Sequence, residues 1–323
     1  MKIVYWPKIQ LGRPKITEAL GKVEGATLEV VDTLDALLSA LPGAAGLVLA
    51  DAPEEEARQV IEALKAPAST VRWMHFISAG REGFEAVGLP RHIEISYAAG
   101  AASPAVAEHA MMLLLGVGRR VADVLAQQAL HTWDRMAPAS RAWSLEGKTL
   151  AIVGYGQIGR EIAKRARPFG AKILAISRAA PAPDALVDEG FALADLPSAL
   201  ARADAVMVSI ALTEQTHHLF NAPLFSAMKK GALLVNVARG GVVDQAALRA
   251  ALESGQLGGA GVDVVDPEPL PADDPLWDSP NLILSPHFAG AGSPETVNRL
   301  AAGAASNARR LVAGEPLQDL VHS

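Results

Sequence analysis

The stretch IVGYGQIGREIAKRARPFGAKILAISR, residues 152–178, leaves this chain few folds to choose from. An apolar run ends in Gly154-Tyr155-Gly156-Gln157-Ile158-Gly159, with G-x-G-x-x-G spacing; a helix-compatible segment and a second apolar run follow. Strand, glycine turn, helix and second strand, in that order, form the context in which this spacing binds a dinucleotide. Gly154 allows the tight turn, Gly156 lets main chain approach a pyrophosphate, and Gly159 lets the helix pack close to the strand. The first helical residues, around Gln157 and Ile158, offer unclaimed N–H groups and a positive dipole end to phosphate. The second run ends in Ser177-Arg178, near the place where a carboxylate usually receives the 2′-hydroxyl of NAD. A serine hydroxyl can donate a hydrogen bond and the arginine fork can pair with phosphate. The pair therefore points to NADP as the preferred cofactor, with NAD still acceptable. The alternative is that Arg178 simply faces solvent at a strand end.

Composition narrows the partners. A chain of 323 residues has room for about two domains, and a net charge of -6 argues against nucleic acid or an anionic membrane surface. Small anions need only a local positive site. With no cysteine in the sequence, disulfides, thiolate nucleophiles and cysteine-based metal sites are excluded. The opening residues MKIVYWPKIQLGRPK have no long apolar core before a small-residue cleavage site, so no signal peptide is expected. The longest apolar run, the nine residues 110–118, is far short of the ~20 that span a bilayer. The cytoplasm is the expected location.

Along the first hundred residues, strand-like runs at 2–6, 27–31, 46–50, 71–77 and 92–97 alternate with helical patterns such as 54–64. Such alternation predicts an α/β domain, a parallel sheet with helices on both faces. One long helix is expected over 104–130. A second α/β series follows, with six strands predicted at 149–153, 172–176, 205–210, 233–237, 261–264 and 282–284, which suits a doubly wound Rossmann sheet. The helical tail at 295–311 is too short for a domain and is expected to pack on the first one. Proline-rich stretches at 179–185 and 266–275 read as loops.

Three segments of the second series place reactive side chains just past a strand: Arg239 in LLVNVARGGVVD, Asp263 and Glu268 in GAGVDVVDPEPL, and His287 in LILSPHFAGAG. In a doubly wound sheet, ligands sit beyond the carboxyl ends of the strands. An arginine, a glutamate and a histidine converging there would make an acid–base site with an anion clamp. Singly, each has a plainer reading: Arg239 paired with a surface carboxylate, Glu268 solvated, His287 an ordinary loop histidine. His109 is expected on a helix face and His217-His218 in a loop. No metal-ligand spacing, G-x-S-x-G or Walker A motif is present, so no metal site is predicted.

Taken together, VAEHAMMLLLGVG at 106–118, the glycine-turn region 147–170, and the long ordered stretch 228–290 resemble the D-isomer-specific 2-hydroxyacid dehydrogenase family. The resemblance covers essentially the whole chain. It implies two Rossmann-like domains with the active site in the cleft between them. A discontinuous, flavodoxin-like substrate domain would comprise 1–99 and 290–323, and an NAD(P)-binding domain 100–289. By the same resemblance His287 is the catalytic acid/base, Glu268 its partner, and Arg239 the group that grips the substrate's carboxylate and carbonyl. A carboxylate beside an imidazole favours its protonated form, which keeps the acid available. Asp263 would contact the nicotinamide carboxamide, and Thr213, Val237 and Ala238 would line the cofactor. In the loop ISAGREGFE, the N–H groups of Ala79 and Gly80 would bind the substrate carboxylate. Arg81 stands there in place of the family's usual valine; it could reach an extra anionic group, though pairing with Glu82 or solvent is the favoured reading. Trp133 matches a tryptophan that reaches the partner subunit's cleft in glyoxylate/hydroxypyruvate reductases, which implies a homodimer. The expected reaction is NADPH-preferring reduction of a small 2-ketoacid such as glyoxylate or hydroxypyruvate. The rivals are phosphoglycerate or D-lactate dehydrogenase and, from another class, a dinucleotide-sensing binding protein like this family's corepressors.

Overall fold

The first apolar run, Lys2–Trp6, is buried along nearly its whole length because both of its faces are covered, which is the signature of a central parallel strand. It is β1 of a unit comprising Met1–Ala102 and Ala291–Ser323 in a computed structural model that describes residues 1–8, 10, 12–78 and 80–321. After it come α1 (Arg13–Gly21), β2 (Thr27–Val30), α2 (Leu34–Ala40), β3 (Ala44–Leu49), α3 (Glu54–Lys65), β4 (Trp73–Phe76), α4 (Glu82–Val87) and β5 (Glu94–Tyr97). The strands are all parallel in the order β2-β1-β3-β4-β5, the flavodoxin-like doubly wound order. Val4 and Trp6 point into one apolar layer with Leu37, Val60 and Leu64. Ile3 and Tyr5 point into the other.

The second unit, Ser103–Gly290, opens with α5 (Ser103–Gly118), α6 (Val121–Ala129) and α7 (Met136–Ala139). Then come β6 (Thr149–Val153), α8 (Gln157–Ala166), β7 (Lys172–Ser177), β8 (Glu189–Ala192), α9 (Leu196–Leu200), β9 (Ala205–Val208), α10 (Ala222–Ala227), β10 (Ala232–Asn236), α11 (Gln245–Glu253), β11 (Leu257–Val262) and β12 (Leu282–Leu284). Its sheet is parallel throughout, ordered β12-β11-β10-β9-β6-β7-β8, so the strand order reverses between β6 and β9. That reversal is where a doubly wound sheet opens a crevice for ligand. The chain then returns to the first unit as α12 (Pro294–Ala313), capped by Ser293, with Leu300, Ala304, Ala308 and Leu311 packed in the layer of Ile3 and Tyr5. Among the described residues no helix is long and apolar enough to cross a membrane.

Three expectations need correction. The second sheet has seven strands, not six: β8, a short half-buried edge strand reading EGFA, lacks the apolar run that marks its neighbours. β11 begins at Leu257 rather than 261, because LGGAGV is too glycine-rich to read as a strand. Those glycines let α5 lie close to the sheet; a Cβ on Gly261 would stand 2.7 Å from Leu113 Cβ. The helix expected over 104–130 breaks after Gly118, where Trp143 N–H takes the Gly118 carbonyl at 2.8 Å and Arg120 turns left-handed at φ 59°.

Candidate active site

In the second unit the carboxyl ends of six neighbouring strands carry nearly all the residues that the sequence pointed to. At β6, Gly154 has φ 97°, and a Cβ there would fall 2.5 Å from the Ser209 carbonyl at the end of β9. The turn is fixed to its neighbours by Gly154 N–H and Tyr155 N–H to Ile176 O (2.9 and 3.1 Å) and by Ser209 Oγ donating to Gly154 O (2.9 Å). Gly159 packs α8 down on the turn, where a Cβ would meet Gly154 O at 2.5 Å. Gly156 is different: a Cβ there would meet nothing within 4 Å. The motif needs glycine at this position, yet no protein atom requires it, so the open space suits an outside group that approaches the main chain. No side chain caps the N-terminus of α8, which starts at Gln157 and Ile158. The cradle therefore fits a dinucleotide pyrophosphate.

Ser177, half-buried, ends β7, and exposed Arg178 follows it. The other arginines around β7 and β8 are paired: Arg167 with Asp188 at 2.6 Å, Arg202 with Glu189 at 2.7 Å, and Arg165 with Glu161 at 2.6 Å. Among the described residues no carboxylate engages Arg178.

Beyond β9, Thr213 belongs to a tight loop built on buried Thr216, whose hydroxyl receives Thr213 N–H at 2.7 Å and donates to Ala211 O at 2.7 Å. Beyond β10, Val237 and Ala238 are buried. Asn236, 1% exposed, shapes the next step: its carbonyl oxygen takes Ala238 N–H and its amide donates to Arg239 O, both at 3.0 Å. That presents Arg239, half-buried, with Nη1 turned to Ala238 O at 2.7 Å.

Beyond β11 and β12 lies the acid–base pair. His287 Nδ1 and Glu268 Oε2 are 2.7 Å apart, and the other Glu268 oxygen accepts Val265 N–H at 3.2 Å. A carboxylate on Nδ1 holds the proton there and leaves Nε2 as the atom that exchanges a proton with a ligand. The His287 side chain is 48% exposed, so Nε2 can be reached. Asp263, at the end of β11, is 2% exposed. Its carboxylate braces the next loop: Oδ1 accepts from Ser285 Oγ (2.5 Å) and Phe288 N–H (3.2 Å), and Oδ2 from Ala289 N–H (3.0 Å).

His109, read from the sequence only as part of a helix face, reaches this group from α5, with Nε2 2.8 Å from Ser285 Oγ. Ser285 carries no motif that marks it in the sequence. The available signal was one imidazole, next to Glu108, in a helix that is otherwise mostly apolar and small. His217 and His218 stack on each other in the loop after Thr213, ring centroids 4.0 Å apart.

In the first unit, Gly80 O accepts from Ser78 Oγ at 2.8 Å, and Ala79 lies outside the described residues. Arg81 pairs with Glu85, one turn on at 2.9 Å, and its guanidinium lies over the Tyr97 ring. Trp133 is 97% exposed between α6 and α7.

The family model for the NAD-binding domain of D-isomer-specific 2-hydroxyacid dehydrogenases matches residues 111–289. The glyoxylate/hydroxypyruvate reductase B of Citrobacter koseri is 38% identical over 234 residues, 72% of either chain. The glyoxylate reductase of Thermofilum pendens is 36% identical over 260 residues, 76% of this chain and 74% of that one. Among solved structures, a D-isomer-specific 2-hydroxyacid dehydrogenase family protein from Aeromonas salmonicida superposes with a TM-score of 0.84 at 28% identity, covering 99% of this chain and 98% of the other.

Proposed function

The chain belongs to the D-isomer-specific 2-hydroxyacid dehydrogenase family and is an oxidoreductase, and from that premise we propose that it reduces a small 2-ketoacid of the glyoxylate or hydroxypyruvate type, with NADPH preferred. The observation that carries the reading is the His287–Glu268 pair at 2.7 Å, two strands along from the Arg239 loop at the carboxyl edge of one parallel sheet. The names of the relatives support the substrate class.

In this reading Gly154, Tyr155, Gly156, Gln157, Ile158 and Gly159 hold the pyrophosphate, Ser177 and Arg178 the ribose end, and Thr213, Val237, Ala238 and Asp263 the nicotinamide half. A nicotinamide dinucleotide held there would supply the hydride that the carbonyl carbon needs. Arg239 holds the substrate's carboxylate and polarises its carbonyl, charge against developing charge. His287 Nε2 gives its proton to the carbonyl oxygen as that oxygen becomes the hydroxyl. Glu268 stays on Nδ1 and stabilises the imidazolium before the transfer. The half-exposed ring is then reprotonated from water.

A second copy of the chain completes the proposal. Met112, Val124, Leu125, Leu130, Trp133 and Met136 are 47–97% exposed on α5–α7 and the intervening loop. An apolar patch of this kind marks an interaction surface. Trp133 also lines an open concavity of about 630 Å³ together with Val124, Gln128, His131 and Pro138.

The test is a panel of 2-ketoacids assayed with NADPH and NADH, with His287→Gln beside the native chain. The expected result is turnover that drops by about 1,000-fold or more in the variant, with cofactor affinity nearly unchanged, as for loss of a general acid. No oxidation of either cofactor with any ketoacid would overturn the reading and favour a dinucleotide-sensing role. Equal loss of cofactor binding in the variant would overturn the role given to His287.

A further inference from the structure

We propose that His109 is a positioning residue for the reaction: through Ser285 it fixes the Asp263 carboxylate, and through that carboxylate the segment that carries His287. The inference rests on the acid–base role given to His287 above. Within the segment 285–289, three consecutive main-chain N–H groups are held by one residue. Asp263 takes His287 N–H on its main-chain oxygen at 2.8 Å, and Phe288 and Ala289 N–H on its carboxylate at 3.2 and 3.0 Å. Three successive N–H groups therefore follow the orientation of a single buried side chain and its own carbonyl.

His287 needs that grip. It is a non-glycine residue at φ 50°, in the left-handed region that residues with a Cβ disfavour and that its surroundings must hold. If the carboxylate swings, the left-handed turn relaxes and Nε2 moves with it.

The carboxylate is itself aimed from outside its own loop. A carboxylate only accepts, so the 2.5 Å contact spends the one hydroxyl hydrogen of Ser285 on Asp263 Oδ1. His109 Nε2, 2.8 Å from Ser285 Oγ, must then be the donor, and it lies 3.3 Å from Oδ1 as well. The His109 ring is held in turn by Phe288, edge-on at 4.7 Å with planes at 79°. His109 is 9% exposed, and α5 lies flat against β11 at Gly261, so a rigid helix carries the donor. The chain of bonds runs from α5 through Ser285 and Asp263 to the segment of His287, and the His109 ring rests on Phe288, the neighbour of His287.

The test separates this from packing. His109→Phe keeps an aromatic ring against Phe288 and removes the donor, whereas His109→Gln keeps an N–H where Nε2 stands. The expected result is a fall in kcat of about 10-fold or more in His109→Phe with the KM for ketoacid within about three-fold, since small misplacements of a catalytic group are costly. His109→Gln should recover kcat to within about three-fold of the native chain. A His109→Phe enzyme with native kcat, or a His109→Gln enzyme as impaired as His109→Phe, overturns the proposal. Ser285→Ala breaks the same chain by removing one hydroxyl and should lower kcat in the same direction; it decides the matter if His109→Phe does not fold. If the native chain reduces no ketoacid, the functional reading fails separately. The proposal is then decided by NMR titration of His287 Hε1, assigned with His287→Gln: a midpoint moved in His109→Phe and restored in His109→Gln supports it, and equal midpoints in all three overturn it.

Discussion

Cofactor choice follows from one dipeptide, Ser177-Arg178. Arg178 is exposed and, among the described residues, has no carboxylate partner, while Arg167, Arg202 and Arg165 nearby are each paired. A charge-assisted hydrogen bond contributes about 1.5–3 kcal/mol when shielded from water. Solvent at an exposed strand end reduces this to about 1 kcal/mol for Arg178 on a 2′-phosphate. Replacing Ser177 with aspartate sets a negative charge against a phosphate of about two negative charges. At about 4 Å this costs about 2 kcal/mol even with water's screening, and the new carboxylate accepts the 2′-hydroxyl of NADH instead. The sum, about 3 kcal/mol, is a change on the order of 100-fold in relative kcat/KM. The assay compares kcat/KM for NADPH and NADH in the native chain, Ser177→Asp, Arg178→Ala and the double variant. The preference should move toward NADH in each step, with the two effects partly coupled because both side chains face one phosphate. A native chain that already uses NADH better than NADPH refutes the argument at its root. An Arg178→Ala variant with an unchanged KM for NADPH refutes the role of the guanidinium.

Two further outcomes are expected. In the first unit His75 is 1% exposed, and burial pushes its imidazole from the ordinary 6.5 down to about 3. Because the folded value is depressed, the unfolded chain takes up a proton between those limits that the native chain does not; stability is full above pH 6.5 and falls as pH drops toward 3. Lowering the pH from 7 to 5 should thus cost about 2 kcal/mol through this residue alone. Urea unfolding of the native chain and His75→Leu at both pH values checks it, and an equal loss in both would show that His75 is not the cause. For the apolar surface on α6, Leu125→Glu with Leu130→Glu should raise the dimer dissociation constant by about 100-fold or more, since each buried leucine contributes about 1.5–3 kcal/mol. Sedimentation velocity reads it, and a native chain that is monomeric at micromolar concentration would end the homodimer proposal.

What the sequence made legible, and what it hid, divides along physical lines. The glycine turn could be read because strand, turn and helix are contiguous, and Arg239, Glu268 and His287 because each closely follows an apolar strand. Local spacing places such residues at one edge of a parallel sheet without any knowledge of long-range contacts. The 2.7 Å approach of Glu268 to His287 spans nineteen positions and joins the loops that follow two adjacent strands, β11 and β12. β8 was hidden because an edge strand needs no continuous apolar run, and Gly190 sits in it where the main chain of Pro181 passes within 1.8 Å of a would-be Cβ. The start of β11 was hidden for a related reason: Gly259 and Gly261 weaken strand propensity while making room for α5. That same close approach creates the bond between His109 and Ser285, 176 positions apart. Neither partner carries a local mark of the other, and only the helix resting on a glycine-cleared strand brings them together. The glycines in LGGAGV, which read as a defect in a strand, are therefore the sequence's trace of that contact. They record where a helix comes near enough for its histidine to hold the loop of the acid–base pair.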